Sequence, residues 1–174
     1  MDLPIIKDFP KKGVNFIDIF PCFQDLGLRD YLWSSLTRIF GQSRIAVAVP
    51  ESRGFLLGGF ISAIVGSPII PFRKPGKLPG NVQSVSYQSE YAETTLEYRV
   101  KDIKLAKSQS KVIIVDDVLA TGNTALAMSS IFEAYDIEVE SFVFLTHVPA
   151  LKGVEKLTKI APVKILFENE SKDN

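Results

Sequence analysis

Asp116 and Asp117 stand side by side after residues 112–115, VIIV, and are followed, from the third position on, by Ala120, Thr121, Gly122, Asn123 and Thr124. Two adjacent carboxylates can accept hydrogen bonds from vicinal sugar hydroxyls or from the waters of a hydrated Mg²⁺. The small and hydroxyl-bearing residues suit a different customer. They lead into a helical stripe of Met128, Ile131, Phe132 and Tyr135, and a helix start leaves amide N–H groups unpaired at a partly positive end, where a phosphate can be wrapped. Diol at one end and phosphate at the other describes a ribose 5-phosphate. Neither GxGxxG nor GxxxxGK followed by Ser or Thr occurs in the chain, so the common nucleotide fingerprints do not compete. The plainer alternative is a strand-to-helix turn in which Asp and Thr serve only as caps.

Positive charge lies elsewhere. Residues 45–49 form a short buried strand that runs into PESRGFLLGG, placing Arg53 in the loop before a helix over 55–65. A guanidinium there acts either as a forked anion clamp or as a structural partner of Glu51, and the residues alone leave both open. A third strand over 68–72 is followed by RKPGKLPG, which gathers Arg73, Lys74 and Lys77 within five residues. Beyond it, 82–87 and 95–100 alternate as an exposed two-stranded ribbon joined by 88–94. That ribbon is expected to be a mobile lid rather than core, with Glu90 and Tyr91 near its tip.

The elements that position these groups follow from periodicity. Residues 112–115 are β-branched without polar alternation, as in a parallel strand buried on both faces, and the two acids are expected to end it. A helix over 25–40 ends at Gly41, further strands are expected over 139–146 and 163–167, and a short helix over 150–158 lies between them. Alternating strands and helices imply a doubly wound α/β sheet whose ligands sit at the carboxyl ends of the strands. Arg53, Arg73, Asp116, Asp117 and Thr121 would then share one crevice. Neighbouring strand residues face opposite sides, so both acids reach one ligand only if the chain leaves extended geometry there. Asp117, at the strand end, is expected to be exposed. The first 21 residues, with prolines at 4, 10 and 21, form an arm that covers the core or also shapes a pocket.

With 174 residues and 46% hydrophobic side chains, the chain suits one domain over 1–174. Lys plus Arg equals Asp plus Glu at 20 each, so no overall field recruits nucleic acid or a membrane surface. The single cysteine, Cys22, excludes an internal disulfide and suits a reducing cytoplasm; the single histidine, His147, argues against a zinc cluster or a Ser-His-Asp triad.

Residues 112–124, VIIVDDVLATGNT, resemble at every position the phosphoribosyl pyrophosphate (PRPP) signature of the type I phosphoribosyltransferases. FPKKGVNFIDIFP from Phe9 resembles the N-terminal FPxxGxxFxDI segment of the adenine phosphoribosyltransferases, and ESRGFLLGG, RKPGKLPG and SEYAETTLEY resemble their counterparts in the same order. The resemblance covers nearly the whole chain. It implies the type I fold: a central, mostly parallel β-sheet flanked by helices, with an N-terminal hood over 1–24 and a flexible lid over 74–100. It also implies the salvage reaction of adenine with PRPP to give AMP and pyrophosphate in a cytoplasmic homodimer, with Mg²⁺ held mainly through PRPP and water. A hypoxanthine, guanine or xanthine transferase, or a non-catalytic PRPP-binding regulator, remains the alternative.

By the same resemblance, Ser52, Arg53, Asp116, Asp117, Ala120, Thr121, Gly122, Asn123 and Thr124 hold PRPP and AMP. Arg73, Lys74 and Lys77 take the pyrophosphate, and Asn15 and Phe16, with Arg53, take adenine. Glu90 and Tyr91, again with Arg53, are the catalytic group. Three positions depart from the family pattern: Ile17 where arginine is common, Ala92 where glycine follows the lid tyrosine, and Asn123 where glycine is common although the PRPP signature leaves that position open.

Overall fold

The computed structural model describes residues 3–41, 44–88 and 93–168. The arm opens with two short strands, β1 (Ile5–Ile6) and β2 (Phe16–Ile17), paired antiparallel, before α1 (Pro21–Gln24) and α2 (Leu26–Phe40). Asp25 caps α2, its carboxylate accepting from the Leu28 amide at 2.9 Å. Then follow β3 (Ala46–Pro50), α3 (Gly54–Val65), β4 (Ile69–Phe72), β5 (Val82–Gln88), β6 (Glu93–Arg99) and α4 (Val100–Lys107). The second half contains β7 (Lys111–Leu119), α5 (Asn123–Ala134), β8 (Glu138–His147), a 3₁₀ turn (Pro149–Leu151), α6 (Gly153–Leu157) and β9 (Val163–Ile165).

Five strands form one parallel sheet in the order β4-β3-β7-β8-β9. On one face Val47, Val49, Ile113, Val115, Val143 and Leu145 meet Leu32 and Leu36 of α2, Leu57 and Ile61 of α3, and Leu3 and Ile19 of the arm. On the other, Ala46, Ala48, Val112, Ile114, Phe142 and Phe144 meet Ile103 of α4, Met128 and Phe132 of α5, and Leu157 of α6. Each fully buried Val, Ile or Leu contributes about 1.5–3 kcal/mol of transfer free energy, and a strand covered on both faces gains it at every position. The lack of polar alternation in 112–115 has that origin.

Four expectations change. β7 does not stop at the acids; it continues to Leu119. The segment expected as one helix over 150–158 is divided by Lys152, at φ 54°, into the 3₁₀ turn and α6. Residue 100 ends the expected strand early and begins α4, whose Ile103 and Ala106 are buried at helical spacing. The ribbon, read as standing clear of the core, has an inner face built into it. Leu96 and Tyr98 of β6 are buried, Val85 and Tyr87 of β5 rest on the same cluster, and Gln83 Oε1 accepts from Tyr98 Oη at 2.8 Å and from Tyr135 Oη at 3.1 Å.

Candidate active site

β3 and β7 are neighbours, yet α3 follows β3 onto one face and α5 follows β7 onto the other. Between them the winding reverses, and the loops diverge to leave a crevice at the carboxyl ends of the strands. A cavity of about 260 Å³ opens there, lined by Arg53 from the β3 side and by Asp116, Asp117 and residues 118–125 from the β7 side.

The acid pair sits where strand alternation fails. Ile113 and Val115 belong to the α2/α3 face and Val112 and Ile114 to the α5 face, so strict alternation would put Val118 with the latter and Leu119 with the former. The reverse is found. The side chains thus change face between Val115 and Val118 while β7 stays paired in register with β8, Asp116 opposite Phe144 and Val118 opposite Thr146, and the two carboxylates lie close together where strict alternation would part them. The Asp117 amide donates to Asp116 Oδ1 at 2.9 Å. A Cβ placed on Gly54 would come within 2.8 Å of the same oxygen, so Asp116 faces the first turn of α3.

Asp117 is buried at 5% exposure, against the expectation of an exposed strand end. Its Oδ2 lies 2.7 Å from Arg53 Nε, and the Arg53 guanidinium carbon stands 5.0 Å from the Phe16 ring centroid. The ion pair is close but poorly aligned: Asp117 Oδ2 and Arg53 Nη1 are buried without a hydrogen-bond partner among the described residues. Buried polar atoms of this kind are rare and call for a ligand or water. Asp116 titrates well above the usual carboxylate range. Burial is the first cause and the charge and side-chain hydrogen bond of Asp117 the next, while the hydrogen bond from the Asp117 amide and then the Arg53 charge oppose them.

The loop after the acids is shaped by its glycine. Gly122 caps α5 at φ 78°, a left-handed conformation that side chains resist, and residues 122–125 at the start of α5 line the cavity. α6 supports the loop from behind: a Cβ on Gly153 would lie 2.2 Å from the Ala120 carbonyl oxygen. Asn123 and Thr124 face the ribbon. Asn123 Nδ2 donates to the Gln88 carbonyl at 2.7 Å, Asn123 Oδ1 accepts from Lys156 Nζ at 2.6 Å, and Thr124 Oγ1 is 3.0 Å from Tyr87 Oη.

The cations at 73–77 form a second group around Glu51. The Glu51 side chain, 5% exposed, takes Arg73 Nε at 2.7 Å, the Lys74 amide at 2.8 Å and Lys77 Nζ at 3.6 Å. Burial alone would raise this carboxyl, but the Lys74 and Arg73 hydrogen bonds and the Lys77 charge outweigh it and hold it below the ordinary range. Glu51 is therefore not the partner of Arg53, and Arg73 lies with Glu51 rather than among the cavity-lining residues. The peptide between Glu51 and Ser52 is cis, and Ser52 is exposed on the rim. Phe16 is half-buried with Phe9 edge-on at 5.2 Å, Asn15 is exposed, and Ile17 packs with the core. Glu90, Tyr91 and Ala92 lie outside the described residues.

Sequence reasoning missed Tyr87, Lys156 and Gly153, and missed Glu51 as a hub. Only Glu51 carried a signal, as an acid directly preceding the arginine loop. Cys22 is a buried thiol, pushed up to about 11 by burial first, and is inert. His147 Nε2 lies 3.1 Å from Glu168 Oε2, away from the cavity lining.

A winding reversal with an acid pair and an amide loop at its mouth defines a protein that handles a phosphorylated sugar. Residues 26–174 match the family described as the phosphoribosyl transferase domain. The chain belongs to this phosphoribosyltransferase family, within its adenine phosphoribosyltransferase branch. It is 40% identical over 153 residues to the adenine phosphoribosyltransferase of Thermoanaerobacter pseudethanolicus, covering 87% of each chain. The solved adenine phosphoribosyltransferase of Rhodothermus marinus superposes with a TM-score of 0.82 at 33% identity, covering 95% of this chain and 93% of that one. The Giardia lamblia enzyme, solved with 9-deazaadenine, gives 0.82 at 30% identity over 97% and 94%.

Proposed function

We propose that the protein transfers the phosphoribosyl group of PRPP to adenine, releasing AMP and pyrophosphate in purine salvage. The observation that carries this reading is the Phe16–Arg53–Asp117 line, which runs from an aromatic face to a ribose-sized acid pocket beside the amide loop. Residues 120–124 take the 5-phosphate through amides and hydroxyls. Asp116 and Asp117 grip the diol, whose hydroxyls satisfy the unpartnered Asp117 Oδ2.

Breaking the bond to pyrophosphate leaves positive charge on the ribose ring and adds negative charge to the leaving group. The carboxylates ease the first. Arg73, Lys74 and Lys77, poised around Glu51, draw off the second together with Ser52 and Arg53. Adenine is the nucleophile, so its imidazole edge must exchange a proton, the role proposed for Glu90 with Tyr91. Phe16 stacks the base, and the backbone at Asn15 reads the exocyclic amine.

Among the described residues no three His, Cys, Asp or Glu gather to cage a metal. Oxygen donors at Asp116 and Asp117 fit Mg²⁺ brought by the substrate and held through water, where it would neutralise charge on the leaving pyrophosphate. The protein acts in the cytoplasm, consistent with its one unpaired, buried cysteine, and no described helix is long and apolar enough to cross a membrane. Leu26, Trp33 and Leu56 are 64%, 49% and 41% exposed on α2 and α3, and Trp33 stacks edge-on to Phe60 at 5.5 Å. That apolar face suits a second copy of the chain, giving a homodimer, and sedimentation as a monomer at micromolar concentration would contradict it.

Competition among adenine, hypoxanthine, guanine and xanthine in a pyrophosphate-release assay tests the reaction. Adenine should be consumed first; turnover of guanine with none of adenine would overturn the assignment.

A further inference from the structure

Asn123 occupies the first helical position of α5, on the loop proposed to hold the 5-phosphate, and its side chain is used at both ends. Nδ2 donates to the Gln88 carbonyl at the end of β5, and Oδ1 accepts from Lys156 Nζ on α6. Glycine, common at this place in the family that the sequence resembles, could make neither bond.

The bonds have different consequences. The carbonyl of Gln88 terminates the described part of β5, whose inner face is anchored farther down through Val85 and Gln83. With the neighbouring Thr124–Tyr87 contact, the end of the ribbon strand is tied to the first turn of the helix that receives the phosphate. On the other side, a neutral amide oxygen holds the Lys156 ammonium beside the loop without cancelling its charge. An aspartate there would both cancel that charge and repel the anion.

We propose that Asn123 is a positioning residue that couples occupancy of the phosphate loop to the order of the β5–β6 ribbon, with Lys156 as its second tether. The inference rests on the loop's assignment to a sugar phosphate. Seating the phosphate fixes the first turn of α5, and the amide of Asn123 passes that restraint to Gln88. Coupling between two sites is a difference in free energy, so it must appear as a ligand-dependent change in the ribbon.

Hydrogen exchange of the β5 amides with and without AMP tests this. In the wild-type protein saturating AMP should slow their exchange by about fivefold or more. Asn123→Gly should still bind AMP, by calorimetry and by a rise in Tm, while its ribbon exchange becomes independent of AMP. Lys156→Met spares the Gln88 bond, so it should keep the ribbon response and lose about tenfold or less in AMP affinity. An unchanged response in Asn123→Gly, a lost response in Lys156→Met alone, or wild-type ribbon amides indifferent to bound AMP would each overturn the coupling. Failure of the wild-type protein to bind AMP at all would instead overturn the loop's assignment.

Discussion

Two loops face each other across the crevice, and they are built on opposite plans. Residues 50–54, after β3, work through side chains: Glu51 gathers Arg73, Lys77 and the Lys74 amide, while Arg53 reaches across to Asp117. Residues 119–123, after β7, work through main chain, turned by Gly122 and backed by Gly153. A loop of side chains has its charges paired before a ligand arrives and must exchange partners to bind. A loop at a helix start offers main-chain amides rather than paired charges. The first plan suits a group that is bound and then expelled. The second suits one that stays attached throughout.

The largest expected effect comes from cutting the link between the two loops. Asp117→Asn removes the charge facing Arg53 and the diol, and kcat/KM with PRPP should fall by about 100-fold or more. Stability should shift by only about 1 kcal/mol, since the amide keeps an acceptor beside Arg53. Calorimetric melting alongside steady-state rates decides it: equal losses in both would make Asp117 a structural residue.

Breaking the amide loop should cost stability and affinity together. In Gly153→Ala the new methyl meets the Ala120 carbonyl oxygen at 2.2 Å and Leu119 Cδ1 at 2.8 Å, so the loop must move. A loss of about 1–3 kcal/mol in chemical denaturation and about tenfold weaker PRPP binding are expected. Normal affinity in a destabilised variant would mean that the loop's position is not what binds.

The smallest effect falls on the side-chain loop. Glu51→Gln should raise the KM for pyrophosphate in the reverse reaction by about three- to tenfold, as Arg73 and Lys77 lose their holder. The pH dependence has a definite sign. The Glu51 carboxyl is held below its ordinary value of 4.5, so its contribution to stability is present above that value and is lost as pH falls through the lowered one. The Gln variant should lack that part of the acid-side decline in Tm, and an unchanged acid limb would show that the cluster does not stabilise the fold.

How much could be read in advance differs between the same two loops. The β7 side was legible as structure because its signature is local: an apolar run, two acids, then small residues before a helical stripe, all within one segment. The burial of Asp117 was not, since it depends on Arg53, 64 positions earlier, closing over it. The β3 side was only half legible. Arg53 announced itself, but whether it clamps an anion or pairs with Glu51 stayed open, because Glu51 is adjacent in sequence while its actual partners Arg73 and Lys77 arrive with a different strand. The ribbon alternates as an exposed hairpin would, yet its inner face closes on α5, and periodicity reports a two-faced strand without saying what covers either face. α4 was overlooked because only eight residues separate β6 from the turn before β7.

The slip in alternation at 116–117 also separates two kinds of tolerance to change. Upstream of it, a methyl added to Ile113 or Val115 presses directly on α3 and is felt as strain in the interior. Downstream, β7 still pairs with Thr146 and His147 of β8, but its residues line the cavity. A designer could therefore harden the sheet residue by residue against heat and leave the chemistry at its mouth untouched.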